Sequence, residues 1–163
     1  MAVYSVTMQN QTIIADSEMV IIHTDSTLAT RGSTIRILRA WCGQIETETS
    51  QQLGIMLALQ ASAFGTYTST TPTPHFVNGP ASTIVGGTAG AEGTAGTDSS
   101  ANAAGTRTAI IYDGFNNLNG WLWVPTPEER LIVPTDTAVV LKMIGTATTL
   151  TGWSAGITYE ELN

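Results

Sequence analysis

The sequence predicts an all-β protein, either an antiparallel β-sandwich or a jelly-roll-like barrel, with one long loop of small residues. Apolar and polar residues alternate in several segments, which is typical of half-buried strands. Only 12% of residues are charged, against about 25% in an average soluble domain. Thr, Ser, Gly and Ala make up the difference, and they suit sheets and turns better than helices.

The alternating segments lie near both ends of the chain. Their apolar positions are Tyr4, Val6 and Met8; Ile35, Ile37 and Trp41; Val139, Leu141 and Met143; and Trp153, Ala155, Ile157 and Tyr159. A short apolar run, Met19 to Ile22, predicts a further strand. Arg39 falls on the apolar side of its strand, which indicates either a buried ion pair or a β-bulge.

Residues 53–64 fit two patterns. Leu53, Leu57 and Phe64 fit helical spacing, whereas Leu53, Ile55, Leu57 and Leu59 fit strand spacing. Gly54 costs a helix about 1 kcal/mol relative to Ala, and the flanking segments are strand-like. We therefore predict a strand here.

The length of 163 residues predicts a single β domain over 1–163. Within it, residues 66–106 form a Thr/Pro/Gly/Ala-rich stretch, and 86–106 consist almost entirely of small residues. Such a composition buries too little apolar area to offset the entropy of ordering, which is about 1–2 kcal/mol per residue. We therefore expect 66–106 to be a surface loop or arm.

The charge of the chain excludes several functions. Its net charge is −7, and its six basic residues are scattered, so we expect neither nucleic-acid binding, which needs clustered cations, nor a membrane partner. No apolar run approaches the roughly 20 residues of a membrane helix, and the first residues do not resemble an export signal. Cys42, the single cysteine, is expected to be a buried thiol.

We predict no catalytic residue, no metal and no cofactor. Residues 152–156 match the G-x-S-x-G nucleophile motif around Ser154, but that motif requires a histidine further along the chain. Both histidines, His23 and His75, precede it. Together with Cys42 they are too widely spaced for a zinc site. The Gly-rich run lacks the Lys of a phosphate-binding loop.

The stretch 119–130, NGWLWVPTPEER, is the most distinctive part of the chain. It resembles a segment of small proteins encoded among the head genes of tailed bacteriophages and prophages. The order of the other features agrees with that resemblance along nearly the whole chain. These features are the opening strand, the strand around Arg36, the break at 71–74, the small-residue stretch and the ending 158–162.

This resemblance implies a capsid cement, or head decoration, protein: a structural virion protein that binds the outside of a phage head at subunit junctions and stabilises it. The implied partners are the major capsid protein and further copies of the chain, as a homotrimer. The protein would be synthesised in the host cytoplasm and located on the capsid surface of the virion. The alternative is a phage tail or fibre component that binds host glycans, through exposed aromatic residues such as Tyr67 and Trp121. An enzyme is the remaining alternative, a hydrolase using Ser154 or a glycosidase.

We expect the capsid-facing element to be 66–106, assisted by the N-terminal strand. Aromatic residues are enriched at the energetic centres of interfaces, and Trp121 and Trp123 share one strand face. The predicted interface residues are Tyr4, Val6, Tyr67, Phe76, Trp121 and Trp123.

Overall fold

The computed structural model describes residues 2–26, 34–45 and 49–162, and these form thirteen strands and one short 3-10 turn at Pro127–Glu129. The strands are β1 Ala2–Gln11, β2 Glu18–His23, β3 Ile35–Gln44, β4 Gln52–Gln60, β5 Thr66–Ser69, β6 Thr73–Pro74, β7 Val85–Gly86, β8 Thr94–Ala101, β9 Arg107–Asn116, β10 Trp121–Trp123, β11 Ile132–Val133, β12 Ala138–Ile144 and β13 Trp153–Glu161. The predicted strand in 53–64 is therefore confirmed as β4.

The strands form two sheets that pack face to face, which confirms the all-β class as a β-sandwich. The six-stranded sheet has the order β10-β3-β13-β1-β6, with β11 also paired to β3. The seven-stranded sheet has the order β5-β8-β2-β12-β4-β9, with β7 also paired to β8. The pairing is antiparallel apart from the short β7–β8 contact.

One apolar core lies between the sheets and draws on the inward faces of both. The alternation predicted at the two ends of the chain is confirmed: Tyr4, Val6 and Met8 of β1, with alternate residues of β13, face this core. Trp153 of β13 is fully buried and meets the Phe115 ring edge-on. Truncating a side chain of this size costs about 3–5 kcal/mol.

A β-bulge in β3 changes the predicted facing of Trp41. Tyr159 of β13 pairs with Ile37, whereas Thr158 pairs with Arg39, so Leu38 is an extra residue in the ladder. Because side chains alternate between faces, one extra residue exchanges the faces for the rest of the strand. The prediction that Trp41 shares a face with Ile35 and Ile37 is therefore wrong. Arg39 and Trp41 face outward, and the bulge is the explanation for the position of Arg39.

The structure corrects the expectation that 66–106 is a loop or arm. Its strand β8 lies inside the seven-stranded sheet, between β5 and β2. Gly96 of β8 is needed there because Tyr67 of β5 and the backbone of Gly87 lie directly against it. A Cβ on Gly96 would stand 2.6 Å from Cβ of Tyr67 and 2.9 Å from the carbonyl oxygen of Gly87.

Polar contacts fix the rest of 66–106 to the sandwich. Buried Glu18 accepts hydrogen bonds from the Tyr67 hydroxyl and from the Arg107 guanidinium. The Nδ1 atom of His23 donates to the carbonyl oxygen of Gly90 at 2.6 Å. Glu161 accepts from the Ser82 hydroxyl at 2.5 Å and from the backbone amide that follows it. These contacts supply the binding energy that the composition of the segment lacks.

Candidate protein interface

Exposed apolar side chains concentrate on one side of the sandwich. On this side β9 forms the edge of the seven-stranded sheet, and β10 and β11 lie along the edge of the six-stranded sheet. Trp121 connects the two edges, since its Nε1 donates to Oδ2 of Asp113 at 3.1 Å. We call this side the open-edge surface; its exposed large apolar side chains are Ile110, Tyr112, Leu118, Leu122, Val124 and Ile132.

Its edge strands also carry backbone hydrogen-bonding groups that face outward. Strand β9 is ten residues long, contains no proline, and pairs on one side with β4. Its two charged residues are engaged within the chain, Arg107 with Glu18 and Asp113 with the Trp121 indole. Charged side chains and prolines are the usual means by which a sheet edge avoids pairing with other chains. The open-edge surface therefore has the composition of a contact surface for another protein.

A groove of ≈ 430 Å³ runs along the outer face of the six-stranded sheet beside β10. Its apolar walls include Trp41, Ile45, Leu118 and Leu122, and Gly43 and Gly120 lie between them. Leu122 is 64% exposed and lies opposite Trp41 in the β3–β10 ladder. We call this feature the Trp41 groove.

Backbone geometry keeps the floor of the Trp41 groove open. Gly120 has a φ of 68°, a left-handed conformation that side-chain-bearing residues rarely adopt. A Cβ there would also stand 2.9 Å from the carbonyl oxygen of Cys42. Glycine is therefore required where the chain turns from β9 into β10.

Three polar side chains that line the Trp41 groove, Gln44, Asn117 and Ser154, are engaged within the protein, whereas Asn119 is exposed at its rim. Asn117 Nδ2 donates to Oε1 of Gln44 and to the carbonyl oxygen of Thr49, both at 2.9 Å. The Ser154 hydroxyl accepts a hydrogen bond from the backbone amide of Asn10 at 3.0 Å. The groove consequently offers mainly apolar contact to an occupant.

Cys42 lies at the buried side of the same groove. Burial raises the pKa of its thiol to about 12, so the thiol is protonated at neutral pH. A nucleophilic or metal-binding role needs the thiolate. The structure thus confirms the expectation of a buried thiol.

Four of the six predicted interface residues belong to the interior of this chain, which corrects their assignment. Tyr4, Val6 and Tyr67 are buried between or against the sheets, and Trp121 is buried behind Leu122 with its indole nitrogen bonded to Asp113. Their aromatic and apolar character reflects packing rather than exposure. The remaining two are placed differently.

Phe76 is on the surface, whereas Trp123 packs partly against the core. Phe76 is 64% exposed in the turn after β6, at the edge of the six-stranded sheet opposite β10. Trp123 is half-buried on the inward side of β10. Phe76 is therefore the most accessible aromatic residue among the predicted six.

The residues that sequence reasoning missed are Trp41, Leu122 and Val77. Simple alternation predicts that Trp41 faces inward because it does not include the bulge at Leu38. The position of Arg39 on an apolar face was the sequence feature that indicated this bulge. Leu122 lies between two tryptophans that face inward, so alternation alone places it outward. Val77 adjoins Phe76 in sequence and is 93% exposed.

The histidines and Ser154 have separate partners, so they do not form a catalytic set. His75 Nε2 is 2.7 Å from the Ser5 hydroxyl, His23 binds Gly90, and Ser154 binds Asn10. Across residues 2–26, 34–45 and 49–162, three or more His, Cys, Asp or Glu side chains do not come together as a metal site. Within the same residues, no helix has the length and apolar character to cross a membrane.

Comparison of the chain with family models, with curated proteins and with solved structures returns no match.

Proposed function

We propose that this protein is a structural subunit of a phage particle, a cement or decoration protein that works by packing against other proteins rather than by catalysis. It binds the outside of the head where subunits of the major capsid protein meet, stabilises the particle there, and acts as a homotrimer on the virion surface. The observation that carries the proposal is the open-edge surface, the side of the sandwich on which six large apolar side chains are exposed.

The physical chemistry of that surface supports the proposal. Large apolar side chains exposed on one side of a soluble domain favour an interaction site there, and edge strands add partners through backbone hydrogen bonds. Most polar side chains of the groove are already bonded internally, so the surface is suited to a protein partner more than to a small polar substrate. The resemblance of 119–130 to phage head proteins falls on β10 and the turn that follows, within this surface.

The decisive experiment is co-sedimentation of the purified protein with empty phage heads. The variant Val124→Asp places a charge on the open-edge surface, and Val85→Asp places the same charge on an exposed valine of β7, away from it. We expect wild type and Val85→Asp to sediment with heads and Val124→Asp to remain in the supernatant. Equal sedimentation of both variants would contradict an interface on the open-edge surface, and a wild type that ignores heads would contradict the function.

A second candidate function is glycan binding, by a tail or fibre component that contacts the host. The specific observation in its favour is Trp41, whose indole lies flat on the outer face of the sheet beside a groove. Tyr67 and Trp121, the aromatic residues first expected to serve this function, are buried. A glycan array probed with wild type and Trp41→Ala tests it: signals that vanish in the variant would favour this function over cement.

A further inference from the structure

We infer that the Trp41 groove of one copy receives the turn at Phe76 and Val77 of a second copy, so that the copies join head to tail in a closed ring. This inference rests on the proposed function, which requires several copies, and it names the two surfaces that meet. One surface is the Trp41 groove, so that Leu118 and Leu122 face a second copy and the other open-edge side chains, Ile110, Tyr112, Val124 and Ile132, are left for the capsid. The other is the turn of residues 76–79, which we call the Phe76 turn.

The Phe76 turn is an apolar projection with a fixed shape. Phe76 is 64% exposed and Val77 93% exposed. The amide of Gly79 donates to the carbonyl oxygen of Phe76 at 2.9 Å, and Asn78 takes a φ of 60°, which asparagine tolerates better than most residues. A turn that is already ordered loses little conformational entropy on binding.

Both ends of the turn are attached to the sandwich. Before it, the amide of His75 donates to the carbonyl oxygen of Val3 in β1 at 2.9 Å. After it, the Tyr4 hydroxyl donates to the carbonyl oxygen of Pro80 at 3.2 Å. The two exposed apolar side chains are therefore held away from the sheet, where a second molecule can reach them.

The groove and the turn lie at opposite edges of one sheet. In the order β10-β3-β13-β1-β6 the groove adjoins β10, and the turn follows β6. Four interstrand steps of about 4.8 Å separate these edges by roughly 20 Å, so the two surfaces of one copy do not contact each other. Two different patches that bind each other between copies make a heterologous contact, which closes into a ring when the rotation permits.

Charge favours a second copy as the occupant. The chain carries a net charge of −7, yet charged residues are absent from 49–91, which includes the Phe76 turn, and from 114–127, which forms much of the groove. Like charges placed opposite each other across an interface disfavour association. These two stretches let two acidic copies approach without that repulsion, and the groove polar groups that are bonded internally leave apolar contact for Phe76 and Val77.

The first test measures the mass of the protein in solution by analytical ultracentrifugation across a concentration series. We expect Val77→Asp and Leu122→Asp each to weaken oligomer formation at least about tenfold, because each places a charge in the apolar contact. Val85→Asp is the matched control and should associate like wild type. Variants that keep wild-type association would overturn the inference.

The second test identifies which surfaces meet, using cysteine variants at the two sites under mild oxidation. A mixture of Val77→Cys and Leu122→Cys should form a disulfide-linked dimer, whereas each variant alone should not. The double variant should form a covalently closed ring. Wild type, with its buried Cys42, controls for other cross-links. A Val77→Cys sample that cross-links to itself would overturn the head-to-tail arrangement.

The two proposals fail separately. If wild type binds heads but the cysteine mixture yields no cross-link, this inference is overturned and the cement function stands. If the cross-links form but wild type ignores heads, the head-to-tail contact stands and the cement function is overturned.

Discussion

The indole of Trp41 lies directly on the backbone of Gly156, on the outer face of the six-stranded sheet. A Cβ added to Gly156 would stand 2.7 Å from Nε1, 2.8 Å from Cε2 and 2.9 Å from Cζ2 of Trp41. These separations are shorter than real side chains tolerate. Gly156 therefore makes the space that lets Trp41 lie flat and form one wall of the groove.

The variant Gly156→Ala tests that relationship. We expect a loss of about 1–3 kcal/mol in unfolding free energy, together with a changed tryptophan emission as the indole moves. Gly114→Ala is the control, because its nearest neighbour would be the carbonyl oxygen of Leu53 at 3.9 Å. Urea denaturation and fluorescence measure both effects. A Gly156→Ala protein indistinguishable from Gly114→Ala would contradict the contact.

The buried pair of Glu18 and Arg107 makes the next prediction. Glu18 is fully buried and bonds Arg107, the Tyr67 hydroxyl and the amide of Ala103. Glu18→Gln removes the negative charge and leaves a largely buried guanidinium uncompensated, which should cost about 3–5 kcal/mol. Denaturation midpoints and slopes in urea give the measurement.

The matched control for that pair lies on the surface of the other sheet. Glu160 pairs with Arg36 at 3.4 Å in a more accessible position, and exposed pairs contribute at most about 1 kcal/mol. Glu160→Gln should therefore change stability little. If Glu18→Gln and Glu160→Gln lower the free energy of unfolding equally, the Glu18–Arg107 pair does not stabilise the position of 66–106 on the sandwich.

Strand β8 should be protected from hydrogen exchange although its composition suggests a mobile segment. It lies between β5 and β2, so its amides within the ladder should exchange over hours rather than seconds at neutral pH. Residues 61–63 are equally small and are exposed in a loop, so they provide the fast reference. Mass spectrometry of peptides from both regions gives the comparison, and fast exchange throughout 94–101 would contradict the assignment of β8.

Cys42 should make the protein less stable in alkali. Burial raises the pKa of its thiol from the ordinary 9.0 to about 12, so the folded state holds the proton more tightly than the unfolded state. The stabilisation is complete below about pH 9 and is lost as pH rises toward 12, at about 1.4 kcal/mol per pH unit. Cys42→Ala should lose stability only above about pH 10, where tyrosines exposed by unfolding begin to ionise while burial holds the pKa of Tyr67 and Tyr159 above the ordinary value.

Thiol labelling checks the same residue independently. At pH 8 a thiol reagent should react slowly with native protein and rapidly in urea, because only unfolding exposes Cys42 and restores its ordinary pKa. Rapid labelling of the native protein would show that the groove side of Cys42 is open to the reagent.

The class of fold followed from local pattern, whereas the site depended on contacts between distant residues. Alternation identified β1 and β13, because each has one face toward the core and its period is visible within the strand itself. Strand β12 was predicted as half-buried, but it is buried on both faces, since Ala138 and Val140 pack with Tyr67 in a second cluster. Strand β8 was missed because its Gly96 is required by Tyr67 of β5, about thirty positions earlier in the chain. The composition of a segment indicates how much apolar area its own side chains can bury. It does not indicate which side chains of a neighbouring strand pack against it.

The candidate interface was only partly predictable for the same reason. Aromatic content identified Phe76 and the region around Trp121, but it did not separate exposed side chains from buried ones. Tyr67 is buried because Glu18 lies within reach of its hydroxyl and Phe64 lies nearby, which sequence spacing does not reveal. Leu122 and Trp41 are exposed together because β10 pairs with β3 in one particular register.

Because Leu38 is an extra residue in β3, the number of residues in this strand decides which of its side chains face the outer surface of the sheet. Removing Leu38 would leave the composition of β3 almost unchanged, yet it would reverse the facing of the residues that follow. The Trp41 indole would turn inward and Ala40 outward, unless β3 took a new register with β13. The deletion of one residue, without any substitution, is thus enough to remove the groove. A single codon deletion in β3 would therefore remove the Trp41 groove while leaving every other residue of the chain in place.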